Sequence, residues 1–129
     1  MLNEFDFDDS DVVDFFDEKN NIVLKVKYVT DKNQMLVNGI VTFANVKSVI
    51  FTPGLIGHEA PEKIGMYYKD GSIIHFEQKK EDMVLLMIEW DDLASGDHTW
   101  HIYEIYSDSI QWGFEETGLH CNDPRPYED

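Results

Sequence analysis

The sequence lacks several features that would assign a class of protein directly. Its 129 residues include one cysteine, Cys121, so no disulfide can form within the chain, and this predicts a reducing, cytoplasmic environment. No apolar run approaches the roughly 20 residues that a membrane-spanning helix requires. The acidic N-terminus has no basic segment followed by an apolar one, the pattern of a signal peptide. We therefore expect a soluble, intracellular protein.

Signatures of catalysis are also missing. The chain has no Gly-x-Ser-x-Gly motif, no phosphate-binding glycine loop and no dinucleotide-binding glycine pattern. Cys121 lies among acidic residues, whose charge disfavours the nucleophilic thiolate. The 26 Asp and Glu residues leave a glycosidase-like carboxylate pair open, because spacing alone cannot single one out. We predict no enzymatic activity and no cofactor, with a small carboxylate enzyme as an alternative.

Metal ligands are not arranged in a recognisable set. Residues 6–17 resemble a calcium loop in their acid spacing, but Asp11 stands where that loop needs glycine, and Asp17 replaces the bidentate Glu. His98 and His101 are three residues apart, so on a strand they face opposite sides of the sheet. We predict no metal site.

Basic residues are scarce, with ten Lys and Arg against 26 Asp and Glu and a net charge of −16. Residues 1–20 carry eight acidic residues and one lysine, and residues 91–129 carry ten acidic residues and one arginine. Residues 21–90 carry eight of each sign. This charge opposes binding to nucleic acid or an anionic membrane and attracts a basic protein. If the two ends of the chain lie close together in the fold, their acidic residues form one negative face. The other explanation of the charge is that it serves solubility alone.

Hydrophobic patterning predicts a β-rich fold. Residues 82–90, DMVLLMIEW, are apolar on both alternating faces, so we expect a strand covered by a layer on each side. Residues 21–30 alternate apolar with lysine-bearing positions, which predicts a strand with one solvated face. Residues 37–51 are β-prone and change phase around 44–47, which predicts a bulge or bend. Residues 11–16 favour a strand, with a short helix as the alternative.

Turn signals divide the rest of the chain. Asp70-Gly71 predicts a hairpin between residues 64–69 and 72–78, and residues 52–63 predict a surface loop. Ser107-Asp108 predicts a turn between residues 98–106 and 109–114. The fold class is therefore mainly β: a single antiparallel-sheet domain over residues 1–116, of about seven or eight strands with little helix. Sandwich, curved meander and partly open barrel are the alternatives, and residues 117–129 form a polar tail.

Aromatic residues crowd the acidic stretch 100–116. Aromatic side chains anchor protein interfaces and charges steer association, although aromatic residues of the last strands are also typical of a core. We predict that the acidic N-terminal segment and this aromatic stretch bind a basic protein. The predicted contact residues are Asp6, Asp8, Asp9, Asp11, Asp14, Trp100, Tyr103, Glu104, Tyr106, Asp108, Trp112, Glu115 and Glu116.

Four stretches of the sequence resemble a group of small bacterial immunity proteins of polymorphic toxin systems, which open with a His-Asp-Ser or His-Asp-Ala motif. They are FDFDDSDVVDFF (5–16), NNIVLKVKYV (20–29), VTFANVKSVIF (41–51) and WHIYEIYSDSIQW (100–112). Asp8-Asp9-Ser10 takes the place of the opening motif, with Asp8 where the family has His. The resemblance implies a β-rich single domain that binds a toxin domain tightly and has no enzymatic activity. A small-ligand or metal-binding β-barrel and a structural subunit are the alternatives.

Overall fold

Six antiparallel strands form one closed barrel in the computed structural model, which describes residues 2–54 and 64–114. The strands are β1 (Asp11–Glu18), β2 (Asn21–Thr30), β3 (Leu36–Thr52), β4 (Asp70–Lys80), β5 (Met83–Asp91) and β6 (His98–Phe114). A 3₁₀ turn, Leu2–Glu4, precedes them. Around the barrel the order is β1, β2, β3, β6, β5, β4. Because the order is circular, β1 lies across the barrel from β6.

The mainly β, antiparallel prediction is confirmed, and the sheet closes into a barrel. It has six strands rather than about seven or eight because two predicted turns are absent. Asp70 and Gly71 are the first residues of β4, and residues 64–69 form no strand. Ser107 and Asp108 lie within β6, which is continuous. Residues 55–63 of the predicted loop and the predicted tail, 117–129, lie outside the described residues.

The barrel interior is filled by side chains. Each strand directs alternate residues inward, and a barrel of this size is narrow enough for large side chains to fill it. The Phe15 and Tyr103 rings meet edge-on with centroids 5.2 Å apart. Full burial of a large apolar side chain stabilises the fold by about 1.5–3 kcal/mol. The largest side chains exposed by 2% or less include Trp90, Tyr103, Phe15, Phe43 and Leu24.

The predicted irregularity in β3 is present. The register of β3 against β6 shifts between Val46 and Ser48, and Asn45 has a positive φ of 51°, which Asn tolerates better than most residues. Before this point β3 pairs with both β2 and β6; after it, the pairing continues with β6 alone. The bulge therefore separates the half of β3 that pairs with two strands from the half that pairs with one.

Residues 83–91 form β5, but only one of its faces lies in the core. The inward residues are Val84, Leu86, Ile88 and Trp90, each 0% exposed. On the outward side Met83 is 5% exposed at the start of the strand, whereas Leu85 and Met87 are half-buried. No second layer of strands or helices among residues 2–54 and 64–114 covers that side. The prediction of a layer on each side is therefore wrong for the outward face, because a barrel has a single interior.

A polar cluster is buried among the apolar side chains of the barrel. Trp90 Nε1 donates a hydrogen bond of 3.4 Å to the Tyr103 hydroxyl, and His101 Nδ1 lies 3.3 Å from the same oxygen. The Phe51 and Tyr67 rings pack on the His101 imidazole, with centroids 5.0 and 4.7 Å away. His98 is exposed on the other side of β6, so the predicted opposite orientation of the two histidines is confirmed.

Burial disfavours a charge on either titratable member of this cluster. It lowers the pKa of His101 and raises the pKa of Tyr103 to about 12. At pH 7 both side chains are therefore neutral in the barrel interior, where His101 Nδ1 contacts the Tyr103 hydroxyl.

Protonation of His101 should favour unfolding. Because burial lowers the pKa of His101 in the folded state, the unfolded chain binds that proton at a higher pH. The free energy of unfolding should therefore fall as the pH drops below the ordinary histidine pKa of about 6.5. We expect His101→Gln to make this fall smaller in urea titrations between about pH 8 and pH 5. His98→Gln, at an exposed position, should keep the wild-type slope; equal slopes in both variants would contradict the assignment.

Gly71 allows β4 to approach the buried Trp90 ring. A Cβ atom on Gly71 would lie 2.6 Å from Cζ3 of Trp90, and the enclosed indole has no free space to move into. We expect Gly71→Ala to lower the free energy of unfolding by about 1–3 kcal/mol. Gly113→Ala is the matched strand control, since its nearest heavy atom would be 4.0 Å away, and its effect should stay within about 0.5 kcal/mol. Similar losses at both glycines in urea unfolding would refute this packing argument.

Candidate protein-binding surface

The outward side of β4, β5, β6 and β3 carries apolar residues in adjacent rows. One row crosses the four strands as Glu77, Leu85, Glu104 and Ile50. The next row crosses them as His75, Met87, Ile102 and Thr52. Residues that are directly opposite in antiparallel strands point to the same side of the sheet. These rows, with Glu89 and Trp100 in the row that follows, are called the outer face below.

The apolar members of the outer face form a continuous patch. Ile50 is 52% exposed and Trp100 is 50% exposed. Leu85, Met87 and Ile102 are half-buried. Isolated exposed apolar residues are common, but adjacent ones forming a patch are typical of a protein-contact site.

Carboxylates lie within this apolar patch. Trp100 Nε1 donates a hydrogen bond of 2.6 Å to Glu89 Oε2, which holds the indole against β5. Glu104 stands between Leu85 and Ile50. The ion pairs of the described residues are Lys47–Asp108 and His75–Glu77, so neither Glu89 nor Glu104 has a cationic partner in this part of the chain. The outer face therefore combines apolar anchors with negative charge that is not neutralised.

Negative charge continues at the end of the outer face where β5 finishes. Asp91 lies directly opposite Asp70, and like charges in this position repel each other. Burial raises the pKa of Asp91, Glu89 and Asp70 raise it further, and His98 acts in the opposite direction. The end of the outer face therefore carries carboxylates that repel each other and that a nearby cationic group would stabilise.

The structure brings together three of the predicted contact residues on β6. Trp100, Glu104 and Tyr106 all lie on the outward side, because they are separated by even numbers of residues along the strand. Tyr103 belongs to the other parity and is 2% exposed. It is therefore part of the core, and its selection as a contact residue is corrected: alternation along a strand places it inside.

Two further predicted residues on β6 are engaged within the protein. Asp108 lies 3.3 Å from Lys47 Nζ and accepts a hydrogen bond from the Asn45 side chain, and these contacts lower its pKa. Trp112 stacks on Phe5 with ring centroids 4.5 Å apart. Neither belongs to the outer face. Glu115 and Glu116 lie outside the described residues.

The two predicted acidic residues of β1 differ in their position relative to the outer face. Each stands directly opposite a lysine of β2, which reduces the net charge there. Asp11 also lies directly opposite Ser72 of β4, in the same row as Glu89 and Trp100, so Asp11 borders the outer face. Asp14 lies beyond the pairing of β1 with β4, on a strand across the barrel from β6. The structure therefore separates Asp14, but not Asp11, from the outer face.

The acidic residues before β1 lie nearer to the outer face. Asp9 N–H donates a 2.9 Å hydrogen bond to the Ile73 carbonyl of β4, so this segment runs along the edge of β4. Burial raises the pKa of Asp8, the neighbouring Asp6 raises it too, and His75 lowers it. Because His75 belongs to the outer face, Asp8 borders that face, with Asp6 and Asp9 beside it.

The residues that sequence reasoning missed are Ile50, Leu85, Met87, Glu89 and Ile102. Leu85 and Met87 were assigned to a core layer because residues 83–88 are apolar on both faces. A usable signal was nevertheless present. A chain of 129 residues with no strong helix pattern has little material with which to cover a second apolar face.

Comparisons with models of protein families, with curated proteins and with solved structures found no match to this chain. Residues 2–54 and 64–114 contain no group of three or more His, Cys, Asp or Glu placed to hold a metal ion. Within the same residues, no helix has the length and apolar character needed to cross a membrane. The likeness to immunity proteins therefore stays a prediction, and the outer face itself supplies the functional argument.

Isoleucines on the two sides of the sheet should respond differently to substitution. Ile50 is 52% exposed on the outer face, whereas Ile105 is 0% exposed in the interior. We expect Ile105→Thr to lower the free energy of unfolding by about 2–4 kcal/mol, through lost packing and a buried hydroxyl. The same change at Ile50 should cost less than about 1 kcal/mol. Urea unfolding checks this, and a loss at Ile50 as large as that at Ile105 would show that the outer face is covered.

Proposed function

We propose that this chain is a non-enzymatic acidic binding protein that contacts a basic protein through its outer face. The observation that supports the proposal is the row Glu77, Leu85, Glu104 and Ile50, which places carboxylates among apolar side chains on a side that no described layer covers. Apolar and aromatic residues supply most of the affinity at such surfaces, and charges supply the rate and the specificity.

A toxin or nuclease domain is the partner class that we propose. The resemblance of residues 5–16 and 100–112 to immunity proteins supports it, and so does the charge of −16. Nucleases need basic surfaces to hold phosphates, so an acidic protein bound there would exclude nucleic acid. Charge-steered association is also fast, which suits a protein that must neutralise a toxin in the cytoplasm before damage occurs.

A small-ligand-binding barrel is the second candidate function. A cavity of about 500 Å³ opens at one end of the barrel, where Phe5, Trp112 and Phe114 line it with Leu2 and Ile110. This volume lies in the range of small-molecule sites. The closely filled centre of the barrel places any such ligand at this end, away from the outer face.

Substitutions on the outer face should weaken capture of the native partner. We expect Glu104→Lys to reduce the affinity by about tenfold or more, because a like charge then faces a basic partner. Trp100→Ala should reduce it by about 30-fold or more, the loss typical of an aromatic anchor. The tagged protein is used to capture its partner from native cells, and the affinity of the purified pair is then measured at low and high salt.

The matched control for this experiment is Glu4→Lys. Glu4 is exposed and lines the cavity of about 500 Å³ at the end of the barrel. Glu4→Lys therefore makes the same change in charge away from the outer face, and the affinity should stay within about threefold of wild type. Equal losses from Glu4→Lys and Glu104→Lys would mean that net charge, rather than the outer face, determines binding. Recovery of no stoichiometric partner at either salt concentration would count against the proposed function and favour ligand screening at the cavity.

A further inference from the structure

The second half of β3 is an unpaired edge in an otherwise closed barrel. β2 pairs with β3 only as far as Phe43, and the Val46 N–H makes a further contact on that side, a 2.7 Å hydrogen bond to the Asn20 carbonyl. β3 continues to Thr52 with β6 on its other side. Among the described residues, 48–52 therefore have a strand neighbour on one side only. These five residues are called the β3 edge below.

Exposure distinguishes the β3 edge from the strand beside it. Ser48, Ile50 and Thr52 are exposed, whereas residues 102–106 of β6, which lie between β3 and β5, are all buried or half-buried. Backbone N–H and C=O groups along a strand point alternately to its two sides. Some of those on the β3 edge therefore point away from β6, and such groups are a template for another extended chain.

A cavity lies beside the β3 edge, with one apolar wall and one polar wall formed by residues of the β1–β2 turn, Asp17, Lys19, Asn20 and Asn21. Its volume is about 320 Å³, and the inward side chains Val49 and Phe51 line it together with Ile22, Ile64 and Tyr103. Side chains of a strand alternate between its two faces. A chain added along the β3 edge would therefore direct every second side chain toward this cavity and the others toward the outer face.

We propose that the β3 edge binds an extended segment of the partner protein by β-strand addition. The segment spans about five residues and carries apolar side chains at alternate positions. Its backbone hydrogen bonds to the β3 edge supply affinity, and the cavity selects the apolar side chains. The proposal rests on the proposed function because it requires a protein partner, and it adds how that partner is held.

Charge and continuity favour a basic partner over a second copy of this chain. Two copies would each bring a net charge of −16, which opposes their association. Asp17 and Lys19 both line the cavity, so the preference for a basic partner comes from the outer face, to which Ile50 and Thr52 of the β3 edge also belong. An added strand from a basic protein would therefore extend the proposed contact without a gap.

Amide hydrogen exchange followed by NMR tests the proposal directly. In the free protein, we expect alternate amides of residues 48–52 to exchange at least about 100-fold faster than amides of residues 102–106. In the complex with the captured partner, these fast amides should slow by at least about tenfold. Uniformly slow exchange of the β3 edge in the free protein, or a dimer of the free chain that protects it, would overturn the proposal.

A pair of substitutions tests the cavity separately. Val49→Gln places an amide against the apolar wall of the cavity and should weaken the partner's affinity by about tenfold. Val13→Gln makes the same change at a position on β1 that is 43% exposed and away from the β3 edge, and its effect should stay within about twofold. If Val49→Gln fails to fold, the exchange measurement on the wild-type protein still decides the question.

The outcomes separate this inference from the function on which it rests. Failure to capture any partner would refute both. A partner that loses affinity for Glu104→Lys and Trp100→Ala, yet leaves exchange at the β3 edge unchanged, would refute strand addition and keep the outer face as the binding surface.

Discussion

A β-barrel has only one interior, and this constraint determines both the core and the surface of the protein. β5 is apolar on its two sides, but only the side with Trp90 can face inward. Leu85 and Met87 must then face outward, beside Ile102 on β6. The same strand therefore stabilises the fold with one face and contributes to the outer face with the other. A layered sheet could have buried both faces, and it would have left no such surface.

Strand identity was predictable from the sequence, whereas closure of the sheet was not. Alternation within β2 and the bulge in β3 are local features, and local patterns indicate them. Which strands pair with each other depends on packing between residues that are distant in the sequence. Asp70-Gly71 illustrates the difference. The pair is a typical turn signal, but Gly71 lies within β4, where the absence of a Cβ atom allows the strand to pack against the Trp90 ring. Long-range packing therefore overrode a strong local signal.

The candidate surface was predictable only in part for the same reason. Trp100, Glu104 and Tyr106 occupy alternate positions of β6 and lie on one side of the sheet, and their role as contact residues stays a prediction. Tyr103 came from the same aromatic stretch, but its parity places it in the core. The separation of Asp14 from that stretch could not be foreseen, because it depends on β1 lying across the barrel from β6, whereas Asp11 borders the outer face through β4. Charge counted along the chain does not reveal which side of a closed sheet carries it.

Binding of the partner to the outer face is best tested by methyl NMR of the protein, free and bound to its captured partner. We expect shifts at the outward methyl groups of Ile50, Leu85, Met87 and Ile102, with much smaller shifts at the interior methyls of Ile105. Shifts concentrated instead on Val13 of β1, or on Leu2 and Ile110 at the cavity of about 500 Å³, would contradict it and place the contact elsewhere on the barrel.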